Sequence, residues 1–170
     1  METLKAIAAR RSIRTFRSGA TIPPEQLVQI VDAGRLAPTA RNEQPWEFVV
    51  LTEREALRDL GALCDHGRFI ADASACVVVL AAPTQYYVAD GSAATTQMLL
   101  AAADLGLAGC WVAGDKKAYG PEVVRLVGAP PELKLVALVA LGYGTDTPGA
   151  PKRALEEVLH WNGFGRRRPT

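Results

Sequence analysis

Two short stretches of this sequence combine residue types and spacings that could do chemistry. Arg10, Arg11, Ser12 and Arg14 fall together in RRSIRTF, at the end of an amphipathic opening segment. Their guanidinium groups and hydroxyl make a focus of positive charge and hydrogen-bond donors, as a phosphorylated or otherwise anionic ligand requires. Arginines at a helix end also complement the helix dipole, so the cluster needs company before it means more. The second stretch is APTARNEQPWEF, residues 37–48, where Thr39, Asn42 and Gln44 stand between Pro38 and Pro45. The prolines stiffen the loop, and amides that donate and accept match the edge of a planar heterocycle carrying carbonyl and N–H groups. Asn and Gln are also ordinary turn residues, and Trp46 reads equally well as core.

These stretches must be positioned by helices and strands, which interleave along the chain without repeats or low-complexity linkers. Thr3 is expected to cap a first helix running to about Arg11. Pro24 suits the first position of a second helix, whose apolar face is Leu27, Ile30, Val31 and Leu36. Residues 39–45 read as loop, WEFVVLT as a strand, and TERE as a capping box opening a helix through Leu57, Leu60 and Leu63. ACVVVLAA reads as a buried strand. Residues 91–105, rich in Ala, Leu, Met and Gln, read as a central helix ended by Gly106, with Met98 and Leu99 in its core. A short strand around residues 110–113, a helix opened by Pro121, and the strand LKLVALVALGYG follow. The tail from Ala154 has room for one further helical turn, after a turn at residues 148–151. This alternation fits an α/β or α+β sandwich around a sheet.

Composition narrows the functional classes. With 170 residues, 49% hydrophobic and 22% charged, the chain is expected to form one domain, residues 1–170. A net charge of +1 leaves no basic field for nucleic acid or an anionic membrane, so any anion site is local. The longest apolar runs are strand-sized, and the N-terminus has no apolar signal core; a cytoplasmic protein is expected. Cys64, Cys76 and Cys110 lie in apolar surroundings without C-x-x-C spacing and read as buried free thiols. With His66 and His160 far apart, no metal site is expected. There is no nucleophile elbow for a hydrolase, and neither G-x-G-x-x-G nor a Walker loop for a nucleotide. His66 reads as a solvated loop histidine, Tyr86 and Tyr87 as packing at a strand end or as lining of a ligand slot, and Arg166–Arg168 as a solvated tail. His160 and Trp161 read as packing the C-terminal segment against a partner.

Taken in order, RRSIRTF, PTARNEQPWEF, GLAGCWVAG and PKRALEEVLHWNGFG resemble the FMN-dependent nitroreductase family over most of the chain, as a short member. The first two motifs carry most of the likeness. The resemblance implies an α+β fold, an α/β/α sandwich with a mixed, mostly antiparallel central sheet. It also implies an intertwined homodimer with one FMN at each of two interface sites. Arg10, Arg11, Ser12 and Arg14 of one protomer would contact the phosphate, the ribityl chain and the pyrimidine edge. Pro38, Thr39, Ala40 and Asn42 would come from the other protomer and lie over or beside the ring. Ala113 and Gly114 match the place where the family brings backbone N–H groups near flavin N5, and Lys152 and Arg153 match its second phosphate-binding pair. Ala113 stands where larger members carry an acidic residue, and no usual polar flavin contact is recognisable around residues 66–69.

The activity so implied is an NAD(P)H-dependent FMN oxidoreductase passing two electrons from NADH or NADPH to nitroaromatic, quinone or similar conjugated acceptors by a ping-pong cycle. No side chain need act as nucleophile, because the flavin carries the chemistry. The alternative is a flavin-binding protein for storage, sensing or a reaction without nicotinamide. An anion-binding module without flavin would not need residues 37–48. The many alanines around the circumference of the central helix, and the apolar Val158, Leu159, Trp161 and Phe164, give a physical motive for a dimer.

Overall fold

The continuous apolar runs become the central strands of the sheet. A computed structural model describes residues 2–146 and 150–168. Strands β1 (Trp46–Leu51), β2 (Ala75–Ala81), β3 (Ala108–Ala113) and β4 (Lys134–Gly142) form one sheet in the order β1-β2-β4-β3, with every pair antiparallel. All of β2 is buried and nearly all of β4, as a strand with neighbours on both sides and both faces requires. The remaining mixed character lies outside the strands: Ser12 makes a parallel bridge to Gly109, and the Ile13 N–H donates to the Gly109 carbonyl at 3.1 Å.

Helices cover both faces. Helices α3 (Arg54–Leu63) and α5 (Gly120–Leu126) supply Leu57, Leu60 and Val123 to a core with Val78 and Leu138. On the opposite face, α2 (Pro24–Arg35) and α4 (Tyr87–Asp104) place Leu27, Ile30 and Met98 on Val77 and Val139. The result is the expected α/β/α sandwich, and its core holds all three cysteines as buried free thiols.

Local boundaries differ from the sequence reading where packing overrides a signal. The TERE capping box does not form: the N-cap of α3 is Glu53, without a side-chain cap bond. Thr3 likewise lies inside α1 (Thr3–Ala9), whose N-cap is Glu2. Helix α4 starts at Tyr87, four positions before Gly91, because Gly91 is a site of close approach and not a boundary. A Cβ there would lie 2.8 Å from Val136 Cγ1. The C-terminal stop is as expected: Gly106 has φ 75°, the Leu107 N–H donates to the Ala102 carbonyl at 2.8 Å and Gly106 N–H to Ala103 at 3.1 Å, a Schellman ending. The apolar circumference of α4 is used partly within the chain, since α4 lies between the sheet and helices α1 and α2.

Apolar surface is left open at both ends of the chain. In α1, Leu4 is 80% exposed and Ile7 50%. The C-terminal arm, containing α6 (Leu155–Val158), exposes Leu155, Val158, Leu159 and Phe164, the last at 94%. Trp161 is also exposed, and the Arg168 guanidinium lies 5.8 Å from its ring centre, while Arg167 donates to the Glu156 carbonyl. The basic tail therefore folds back on the arm instead of being simply solvated. His160 packs against Phe164, with ring centres 4.4 Å apart and planes tilted by 46°. The expected turn at Pro148 lies outside the described residues. Among the described residues no helix is long and apolar enough to cross a membrane, and no His, Cys, Asp and Glu group could hold a metal ion.

Candidate active site

The segment RRSIR leaves α1 and runs along the outer edge of β3, where Ile13 and Phe16 are buried and fix its course. This pinning divides the arginines. Arg10 and Arg11 wall a cavity of about 320 Å3 with Gly106, Gly109 and Gly144. Gly109 permits a close approach there, since a Cβ would lie 2.8 Å from Leu99 Cδ2, whereas Gly106 answers to its φ of 75°. Arg11 donates to the Ala8 carbonyl at 2.6 Å and to the Arg10 carbonyl at 2.9 Å, so its guanidinium caps the end of α1 in this state. Arg14 instead borders a smaller cavity of about 130 Å3 with His66, Phe69, Trp111, Ala113 and Lys117. Both Arg14 and Arg10 act on Cys110 in the strand beside them. Burial pushes that thiol's pKa up, and the two guanidinium charges pull it down.

The second cavity recruits residues that sequence reasoning did not assign. His66 and Phe69 flank Arg14, carried by a loop and a 3-10 turn (Arg68–Asp72). Arg54 at the start of α3 fixes that turn by donating to the Ala71 and Ala73 carbonyls, each at 2.9 Å. Lys117 ties the loop after β3 to the His66 loop, with its ammonium 3.7 Å from an Asp65 carboxylate oxygen. No local spacing announces this meeting, because the partners are more than forty residues apart.

At the end of β3 the backbone decides which amide is presented. The Gly109 carbonyl faces Ile13, on the outer edge, and strand alternation turns the Ala113 N–H and carbonyl the same way. Tyr119 confirms this direction, because its hydroxyl donates to the Ala113 carbonyl. Burial beside Cys64 and Asp65 pushes the Tyr119 hydroxyl up to about 12, so it stays a donor. The Gly114 N–H faces inward and donates to the Val136 carbonyl at 3.1 Å. The outward amide of this pair is therefore that of Ala113. Gly114 is needed for closeness, since a Cβ would lie 2.5 Å from Leu135 Cγ.

Residues 38–42 are at the other edge of the sheet, in the loop and 3-10 turn (Ala40–Asn42) before β1. Arg41, Asn42 and Gln44 have left-handed φ values of 55°, 57° and 48°. Such backbone is costly for side-chain-bearing residues and needs holding in place. The Thr39 hydroxyl accepts the Gln44 N–H at 3.3 Å, and the Gln44 side-chain amide donates to the Asn42 carbonyl at 3.3 Å. Gln44 thus serves the loop itself. The main anchor is Asp90, only 4% exposed, whose Oδ1 accepts the Ala40 N–H at 3.0 Å; its Oδ2 is buried without a hydrogen-bond partner. Trp46 packs into the core, as its alternative reading has it. Lys152 and Arg153 lie exposed in the C-terminal arm, where Arg153 Nε is 3.0 Å from Glu157 Oε2.

One chain therefore brings together Arg10, Arg11, Ser12, Arg14 and Ala113 along β3, and holds Pro38, Thr39, Ala40 and Asn42 beyond β1. The sequence matches the model of the Nitroreductase family over residues 7–79 and 66–143. The chain belongs to this family. Nitroreductase-family relatives share nearly its whole length: a protein of Archaeoglobus fulgidus, provisionally named NADH dehydrogenase/NAD(P)H nitroreductase, is 39% identical over 85% of this chain and 87% of its own. A crystal structure from Bacteroides thetaiotaomicron, under the same provisional name, superposes with a TM-score of 0.89 at 27% identity, covering 96% of this chain and 99% of that one. A Bacteroides fragilis nitroreductase with bound FMN gives a TM-score of 0.74 at 26% identity, covering 100% and 99%.

The residues present fit the flavin cofactor expected of a nitroreductase. The donor set along β3 is cationic, with a glycine-lined cavity at Arg10 and Arg11 for a compact anion, and the Ala113 N–H faces the same edge as Arg14. Arg, hydroxyl and backbone donors in this combination suit a phosphate and a polar ring edge.

Proposed function

We propose that this chain is a cytoplasmic, single-domain FMN oxidoreductase that works as a homodimer with two shared flavin sites. The observation that carries the reading is the placement of its two half-sites on opposite edges of one sheet. Three strand spacings of about 4.8 Å separate those edges by about 14 Å, with the sheet between them. A second copy brings the Pro38–Asn42 loop of one chain to the Arg10–Arg14 edge of the other. The exposed apolar residues of α1 and the C-terminal arm supply surface for that association.

When bound, FMN supplies two-electron ping-pong chemistry between NADH or NADPH and a nitroaromatic, quinone or similar conjugated acceptor. Arg10, Arg11 and Ser12 hold its phosphate and ribityl chain, joined by Lys152 and Arg153 of the arm. The Arg14 guanidinium neutralises charge at the pyrimidine edge, where fixed donors in a site of low polarity act most strongly. The Ala113 N–H offers a hydrogen bond at the end of β3, with its strand held by Tyr119. Thr39, Ala40 and Asn42 of the second copy bound the ring, positioned through Asp90.

The purified protein is expected to be yellow, to release FMN and not FAD on denaturation, and to bleach anaerobically on addition of NADH or NADPH. A colourless protein that ignores added FMN would sink the reading. A yellow protein that no nicotinamide bleaches would instead favour storage, sensing or another flavin reaction.

A further inference from the structure

We propose that the cavity between the end of β3 and α5 binds the electron acceptor and selects small planar acids, such as conjugated aromatic carboxylates. This rests on the oxidoreductase reading above and names a substrate class for it. The cavity encloses about 400 Å3, within the range of small-molecule sites, and Gly114 forms part of its wall. Val124, Leu133 and Leu135 give it an apolar part of the lining. The volume and apolar lining suit the body of one or two fused rings.

The surrounding charge is what gives the ligand its sign. Lys116, Lys117, Arg125 and Lys134 line the cavity against a single acid, Asp115, in a chain whose net charge is only +1. Asp115 is engaged, accepting the Tyr87 hydroxyl at 2.8 Å, a bond that raises the Tyr87 pKa. Lys117 is partnered by Asp65. Lys116, Arg125 and Lys134 have no ion pair among the described residues. Glu122, on α5 with Arg125, and Glu132, in the turn just before β4, are not part of the lining. An apolar lining beside unpaired cations favours a molecule that buries a ring and leaves a carboxylate at the rim, where the field of several cations also speeds capture.

The test compares 4-nitrobenzoate with its neutral isostere 4-nitrobenzamide, titrated calorimetrically into the FMN-loaded protein and then used as acceptors. The acid is expected to bind about tenfold tighter or more at low salt, and the preference to shrink as salt is raised. In Lys116→Met/Arg125→Met, the acid-to-amide ratio should fall towards one. Lys134→Met, made separately at an exposed position, should lower it by a smaller step and guards against a folding defect in the double variant. Equal affinities in the native protein overturn the proposal, as does a preference that survives both variants, because the acid would then sit elsewhere. A protein that lacks FMN or ignores NADH and NADPH would fail the oxidoreductase reading, a separate outcome from a flavoprotein that turns over acid and amide alike.

Discussion

The two edges of the sheet are finished in opposite ways. Beside β3 the chain covers its own edge: RRSIR lies along it, Ile13 and Phe16 are buried, and the outward carbonyls of Gly109 and Ala113 are bonded to Ile13 and Tyr119. Beside β1 no further strand pairs among the described residues, Val28 and Val50 stand exposed over an apolar groove with Leu27 and Val31, and a left-handed loop leads into the strand. An open edge normally invites association. The contrast teaches that the donors proposed to bind flavin stand on the self-sufficient edge, whereas the loop proposed to serve another copy stands at the edge that needs covering.

The sharpest way to break this comparison is to damage each edge in a different copy. Arg14→Ala and Asn42→Ala homodimers should each bind FMN about tenfold more weakly or worse, the scale of one charge-assisted hydrogen bond. In the mixed dimer, one of the two sites regains both residues and the other loses both. Titration of FMN fluorescence should then show half the heterodimer's sites at native affinity. Uniformly weakened sites, or a monomer on sizing, would contradict the assignment of the two edges to different copies.

A smaller effect isolates the open edge. Asp90→Ala removes the buried acceptor of the Ala40 N–H and should cost about 1–2 kcal/mol, seen as a melting temperature lower by about 3–6 °C, together with weaker FMN retention. Asp90→Asn keeps an acceptor oxygen and should recover most of both. Loss of stability with unchanged FMN retention would separate Asp90 from the loop's binding role.

An effect confined to alkaline pH belongs to the closed side, where Cys64 lies in the core at the end of α3. Burial pushes its thiol pKa up to about 11, from an ordinary value of 9.0. The unfolded chain therefore loses this proton first as pH rises, so the stability it contributes is complete below about pH 9 and drains away up to pH 11. Urea melts across that interval should show the decline, and Cys64→Ala should flatten part of it. An unchanged slope would assign the alkaline loss to other groups.

Much of the fold was legible because its signals are local. Pro24 and Pro121 mark helix starts, ACVVVLAA and LKLVALVALGYG mark the two central strands, and Gly106 marks the end of α4. One misplacement arises where tertiary contact decides, since Gly91 stands inside a helix to meet Val136; another is the N-cap of α3, which is Glu53 and not Thr52. The site divides similarly. RRSIR and PTARN stand out by composition, but His66 and Phe69 do not, because only the sheet and the Arg54 anchor bring them to Arg14. Asp90 was hidden for a different reason: a carboxylate in a helix's first turn looks like dipole compensation until its burial is known.

The opposite-edge placement of the two half-sites has a consequence in mass action. In the proposed shared-site dimer, a lone chain carries every binding residue and no complete site, so each pair of chains creates two sites at once. Well below the pairing constant, the number of complete sites would then rise with roughly the square of chain concentration, and cofactor would in turn tighten the pairing. In that arrangement abundance itself would control how much of the protein is charged with flavin.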